Sequence, residues 1–202
     1  MSGPYRTVDE AATASFEVRG SEFLGHARPV ESVDTAEAFV DRVRERYDDA
    51  THNIPAYRVR SDADGDFLRE YSSDDGEPSG SAGKPALNVL QGRDLENVAV
   101  VVTRYYGGTN LGIGGLVSAY GRAVTEAVDA AGVVEERPHE RIDVVVAYDD
   151  SGTVRGILES EGHEFDAEYA VDVAFDVRVP VAEAEALRDR LRSATSGRAV
   201  LD

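Results

Sequence analysis

The chain has no cysteine and no tryptophan, a single methionine and a single lysine, Lys84. Without cysteine there is no disulfide framework, no thiolate nucleophile and no cysteine-held metal. Aromatic residues make up 7% of the 202 residues, against 42% hydrophobic, so a core must be built mainly from Val, Ala and Leu. No stretch approaches the ~20 apolar residues of a membrane-spanning helix, and no membrane association is expected. The opening stretch MSGPYRTVDEAATASF has no basic region followed by an apolar one, so a secretory signal is not expected. The expected location is the cytoplasm.

What is abundant is acid. The formal net charge is −18, and apart from Lys84 the basic residues are all arginine. The excess is spread along the chain: residues 1–138 carry 24 acids and 14 bases, and residues 139–202 carry 15 and 7. Acid everywhere with almost no lysine points to a high-salt, halophilic setting, where a charged surface keeps a protein soluble. One segment departs from this. No Asp or Glu occurs from Pro78 to Arg93, nor from Asn97 to Thr125.

That segment holds two glycine-rich loops, DDGEPSGSAGKP (Asp74–Pro85) and RYYGGTNLGIGG (Arg104–Gly115), flanking the apolar run VAVVV. A strand, a glycine loop and a helix in that order aim backbone N–H groups at open space, a common way to hold an anion. Lys84, Arg104 and Arg122 are the cations available to join it. The alternative is that the glycines serve tight turns and close packing. Standard labels fail. A Walker A loop needs Ser or Thr after Gly83–Lys84, where Pro85 stands, and a dinucleotide fingerprint begun at Gly112 and Gly114 meets Val117 at its last position. Asp74, Asp75 and Glu77 are paired carboxylates or solvated turn acids. His26, His52, His139 and His163 show no zinc spacing, and no G-x-S-x-G elbow is present. No metal and no cofactor are implied. Tyr105 and Tyr106 either stack on a base or pack at a strand end.

The pattern predicts strands at Ser15–Gly20 and Glu22–Arg28 and a helix over Thr35–Tyr47 capped by Asp34 with Glu37. A hairpin follows, Ile54–Arg60 and Asp66–Tyr71, turning at Asp62–Gly65. A short helix from Lys84 to Leu90, a strand at Val98–Arg104 and a helix over Gly115–Ala131 complete the first part. A linker is expected at Glu135–His139, dividing the chain into domains 1–136 and 137–202. The second part reads strand Ile142–Tyr148, helix Gly152–Ser160, strands Glu164–Tyr169 and Val171–Val179, helix Val181–Ser193 and strand Arg198–Leu201. Its order is ferredoxin-like. The fold class is α+β.

Ser73–Pro85 and Val100–Tyr120 resemble the hallmark segments of the IMPACT family, including its YigZ branch, as do SEFLGHARPV (Ser21–Val30) and DATHNIPAYRV (Asp49–Val59). The resemblance runs in register over about residues 15–132. It implies a first domain folded like the second domain of ribosomal protein S5, a fold whose small-molecule kinase members bind phosphate at a glycine-rich helix start. It implies a second domain resembling the ferredoxin-like last domain of elongation factor G. The eukaryotic family member restrains the kinase that halts initiation during amino-acid starvation. The sequence shows no counterpart of that relative's extra amino-terminal domain, so this role is not carried over. The family's signature surface maps to His52, Asp74, Asp75, Gly76, Glu77, Pro78, Gly80, Gly83 and Lys84, then Arg104, Tyr105, Tyr106, Gly107, Gly108, Gly112, Gly114 and Gly115. Two positions depart from it: Ser81 stands where threonine is usual, and Thr109–Asn110 where a Val/Ile–Lys pair is common.

The expected function is an RNA- or ribosome-associated modulator of translation without catalysis. Lys84, Arg104 and the amides of Gly107–Gly115 would hold phosphates, Tyr105 or Tyr106 would stack on a base, and the second domain would dock on protein or RNA. Two other readings stay open. One is an enzyme on a small phosphorylated substrate, with Asp75 or Glu77 as base and His52 as proton carrier. The other is a protein adaptor in which the loops are only structural. Oligomeric state is not legible.

Overall fold

A computed structural model describes residues 3–60 and 67–202. The chain divides into two compact units, Tyr5–Glu136 and Arg137–Asp202. In chain order the first contains β1 (Tyr5–Val8), β2 (Ala12–Val18), β3 (Ser21–Pro29), α1 (Val33–Arg46), β4 (His52–Arg60), β5 (Leu68–Ser72), α2 (Gly83–Gly92), β6 (Val98–Tyr105), α3 (Gly112–Ala131) and β7 (Val133–Glu136). Five strands form one antiparallel sheet in the order β2-β3-β6-β4-β5, and β1 pairs with β7 in a two-stranded ladder. The turn expected at Asp62–Gly65 and the strand start at Asp66 lie outside the described residues.

Strand β6 shows why its sequence is apolar without alternation. Val98, Val100 and Val102 join the core under α2 and α3, while Ala99 and Val101 join the core under α1. A strand covered on both faces needs apolar side chains on both. Helix α3 lays Leu116, Ala119, Tyr120, Ala123, Val124, Ala127, Val128 and Ala131 on the sheet and stops at Gly132. His26, on β3, is buried between the hydroxyls of Thr13 (3.0 Å) and Thr103 (3.2 Å). Burial, helped by the charge of Arg46, pulls its pKa down to about 4.

The second unit contains β8 (His139–Ala147), α4 (Tyr148–Glu161), β9 (Glu164–Tyr169), β10 (Asp172–Pro180), α5 (Val181–Ala194) and β11 (Val200–Leu201). Its antiparallel sheet has the order β11-β8-β10-β9, the ferredoxin-like arrangement. Period two is plain: Ile142, Val144 and Val146 are buried with Val173, Phe175, Val177 and Val179 against Val154, Leu158, Leu187 and Leu191 of the helices. Arg141, Asp143 and Val145 face the other way and are exposed.

Several local expectations need correction. The cap of α1 is Ser32, exchanging hydrogen bonds with Thr35, not Asp34 with Glu37. Both pairs satisfy the same spacing, and the hydroxyl pair lies two residues nearer the strand that precedes it. Helix α3 starts at Gly112 rather than Gly115; its first turn contains Gly112 and Gly114, poor helix formers, so propensity alone places the start too late. Residues Glu135 and Glu136 of the expected linker belong to β7, held by a partner strand at the far end of the unit. Strand β8 begins at His139 and helix α4 at Tyr148, both earlier than their periodicity indicates.

Candidate functional site

The first glycine loop, between β5 and α2, is organised by Asp74. Its carboxylate accepts hydrogen bonds from the backbone amides of Gly80 (2.7 Å), Ala82 (3.1 Å) and Gly83 (2.8 Å). Ala82 is the N-cap and Gly83 the first residue of α2, so two of that helix's orphan donors are satisfied. Pro85 brings no N–H to its first turn. Partial burial raises the Asp74 pKa, but the three amides outweigh it and the net shift is downward. The anion position at this helix start is therefore filled by the chain itself. A Cβ on Gly83 would lie 2.6 Å from the Ser73 carbonyl oxygen, so the close approach of the two segments requires glycine.

The second loop, between β6 and α3, is built differently. Gly107 packs on the β2–β3 turn, where an added Cβ would lie 1.8 Å from the Gly20 oxygen. The Gly107 amide donates to Ser21 Oγ at 3.1 Å. Helix α3 has Leu111 as N-cap, with no side-chain cap and no acid in its first turn. Among the described residues, no side chain or distant carbonyl takes the amides of Leu111, Gly112, Ile113 and Gly114. Gly114 is exposed and nothing lies within 4 Å of where its Cβ would be. Neither its backbone angle nor packing calls for glycine there.

A pocket of about 490 Å³ opens at this helix start, lined by Thr51, His52, Glu77, Pro78, Arg104, Tyr106, Asn110, Leu111, Gly112, Ile113 and Leu116. Its buried wall is a four-residue network. The Glu77 and Arg104 side chains, each 5% exposed, form an ion pair between Oε1 and Nη1. The Tyr120 hydroxyl donates to the same Oε1 at 2.7 Å. Burial, then the Glu77 carboxylate, raises the Tyr120 pKa. His52 Nδ1 donates to the Asp75 carbonyl at 2.7 Å, and its Nε2 lies 3.9 Å from Glu77 Oε1. Arg104 also reaches Ser21 Oγ at 3.3 Å and stacks over the rings of Phe23 and Tyr106, each at 5.4 Å. The Tyr106 ring is 45% exposed; its hydroxyl donates to Asn110 Oδ1 at 3.1 Å, and its amide to Thr51 Oγ1 at 2.9 Å.

His52, Glu77, Pro78, Arg104, Tyr106 and Gly112 of the expected surface thus meet in one pocket. Others stand apart. Lys84 is exposed and outside it. Tyr105 turns to Asp49 Oδ1 at 2.7 Å, a bond that pushes its pKa up to about 12. Asp75 receives the Asn53 amide at 2.7 Å. Arg122 pairs with Glu126 and covers the Phe16 ring at 4.0 Å. Arg104 is not the free cation the sequence suggested, because Glu77 already neutralises it. Sequence reasoning missed Tyr120, Ser21 and Thr51. Tyr120 carries the one available signal, a phenol within an otherwise aliphatic inner stripe.

Residues 19–128 match the Impact N-terminal domain family, and residues 144–198 match a domain of unknown function, DUF1949. Two similar relatives are IMPACT family members. YvyE of Bacillus subtilis is 34% identical over 199 residues, covering 98% of this chain and 90% of its own. YigZ of Escherichia coli is 32% identical over 182 residues, covering 90% and 88%. A crystal structure described as a hypothetical protein is 30% identical and superposes with a TM-score of 0.71, covering 98% of this chain and 96% of the other. Two α+β domains, the first carrying the signature loops, define the class. The chain belongs to the IMPACT family.

Proposed function

We propose that this protein modulates translation as an RNA- or ribosome-associated factor, taking an RNA phosphate at the N-terminus of α3 with a base against Tyr106. The observation that carries this reading is the uncapped, acid-free start of a 20-residue helix beside a pocket of about 490 Å³. Free amides and the positive end of the helix dipole favour an anion there. The pocket volume lies in the range of sites for single small ligands. The exposed ring of Tyr106 and the exposed Ile113 in its lining suit a base and ribose. The link to translation rests on the family resemblance. If the protein works at high salt, as its acidic composition suggests, salt would screen the repulsion between it and RNA.

The test is co-sedimentation with ribosomes from the source cell at its native salt, with and without ribonuclease. Ile113→Asp, which places an acid in the first turn of α3, is the informative variant. Loss of association on both treatments is expected. Association that survives both would overturn the RNA reading in favour of a protein adaptor. Arg104→Ala is a poor probe, because it leaves Glu77 buried without its cation. The enzymatic reading draws on His52 beside Glu77 and predicts turnover of a small phosphorylated substrate that Glu77→Gln abolishes.

A further inference from the structure

We infer that the outer surface of α2, the second loop and the first half of α3 forms a track for the sugar–phosphate backbone of an RNA strand. This rests on the reading of RNA as the ligand and adds where the strand runs beyond the α3 start. The observation is a gap in the surface charge. Among the described residues, none of the eighteen exposed ones within 78–93 and 97–125 is Asp or Glu. Elsewhere in the first unit, half of the exposed residues are. Burial accounts for the missing acid in β6, but these eighteen face water.

The gap is one continuous face. Helices α2 and α3 lie side by side: a Cβ on Gly121 would meet Val89 at 3.9 Å, and Arg93 pairs with Asp129 at 2.5 Å. Lys84, Asn88 and Gln91 recur at helical spacing along the exposed side of α2, and Gly114, Ser118 and Arg122 along that of α3. Pro78 of the first loop and Ile113 of α3 line the same pocket, which joins the two rows. Acid returns at the borders, where Glu70 bonds Gln91, Glu126 bonds Arg122 and Asp129 bonds Arg93.

What the face carries decides the occupant. Phosphate and sugar are contacted by Lys, Arg, Ser, Thr, Asn, Gln and Tyr side chains and by backbone amides. Every polar side chain among the eighteen is of that set, and each can donate. Lys84, the one lysine of the chain, has no ion pair among the described residues. Asn110 gives its Oδ1 to Tyr106 and keeps its NH2 group. The large exposed apolar side chains, Tyr106, Ile113 and Val117, all lie at the α3 end, so α2 offers no exposed apolar anchor for a protein partner. From Gly112 to Thr125 the helix advances about 20 Å. That accommodates roughly three to six nucleotides, depending on how far the strand is stretched beyond about 3.4 Å per nucleotide.

The experiment is a fluorescence-anisotropy titration of the full chain at high salt with labelled single-stranded RNAs of about two to ten nucleotides and with poly-glutamate. Affinity is expected to rise with length to about six nucleotides and then level off. Asn88→Glu and Ser118→Glu, both exposed and outside the pocket, should each weaken the hexanucleotide roughly fivefold and leave the dinucleotide unchanged. That is the effect of one like-charge contact at about 4 Å in water. Lys84→Gln should make the slope of log affinity against log salt shallower by about 0.7. Ala38→Glu, exposed on the acid-rich α1, should change nothing. Equal weakening by Ala38→Glu and Ser118→Glu would overturn the track in favour of bulk charge. An unchanged hexanucleotide affinity in Asn88→Glu and Ser118→Glu, with Ile113→Asp still abolishing binding, would overturn it and leave the α3 start as an isolated phosphate site. Tighter binding of poly-glutamate than of RNA would overturn it in favour of an acidic protein. Absence of binding by every RNA would remove the RNA reading itself.

Discussion

At the start of α2 the carboxylate of Asp74 accepts three backbone amides, whereas at the start of α3 no side chain among the described residues caps the helix and Gly114 fills no steric need. The two loops look alike in sequence, rich in glycine and serine or threonine and leading into a helix. One has folded an anion into itself and is structural. The other leaves its first-turn donors without a side-chain acceptor among the described residues. Glycine content does not separate these cases; the presence of a carboxylate positioned to reach the helix start does.

The largest effect is expected where the two loops are joined. Glu77 comes from the first loop and Arg104 from the strand that feeds the second. Arg104→Ala should cost about 3–5 kcal/mol in urea unfolding of the first unit, by stranding a buried carboxylate. A loss under 1 kcal/mol would mean that Glu77 is solvated and the wall of the pocket is not as described.

Acid should then unfold the unit in two stages. His26 has a lowered pKa, so its stabilising effect is complete above the unfolded value of about 6.5 and is lost as pH falls towards about 4. The change is on the order of 3 kcal/mol, from the size of that shift. The Asp74 pKa is also lowered, so its contribution is present above the unfolded value of about 3.9 and disappears as pH falls below it. His26→Gln should abolish the first stage and Asp74→Asn the second, read by denaturation midpoints across pH. A pH profile that neither substitution alters would refute both assignments.

Asp74→Ala at neutral pH should cost about 2 kcal/mol, at the upper end for loss of a helix cap. The comparison sharpens at α3, where the sign reverses. Ile113→Asp should stabilise the unit by about 0.5 kcal/mol through the helix dipole while abolishing anion binding. Gly114→Ala should stabilise by roughly 0.5–1 kcal/mol and weaken the ligand by crowding the amides. A destabilising Gly114→Ala, measured in the same urea titration, would show that glycine there is a structural necessity.

Most elements of both units, though not β1 and β7, were legible because burial imposes local periodicity. Strand β9 at Glu164–Tyr169 and the inner stripe of α3 follow directly from it. What escaped depends on residues distant in the chain. Nothing near Tyr5 announces pairing with Glu136, and nothing near Asp74 distinguishes a solvated turn acid from a cap on α2. For the candidate site, the sequence singled out residues that the fold brings to one pocket, but not the partners they take there. Arg104 and Lys84 read alike as cations, and only the fold reveals that one is neutralised by Glu77 and the other lies outside the pocket. Tyr120 reads as core and is also core, with a hydroxyl that holds the carboxylate.

The short ladder between β1 and β7 carries a consequence of another kind. Tyr5 pairs directly with Glu136, so the first unit begins and ends at the same point, across a single antiparallel pair. Its backbone is a nearly closed ring. Such a module can be circularly permuted by joining Glu136 to Tyr5 and opening a surface turn elsewhere, or inserted whole into a loop of another host protein. The same geometry makes it mechanically compliant, since force applied at its two ends peels β1 from β7 one pair at a time instead of shearing the whole ladder at once.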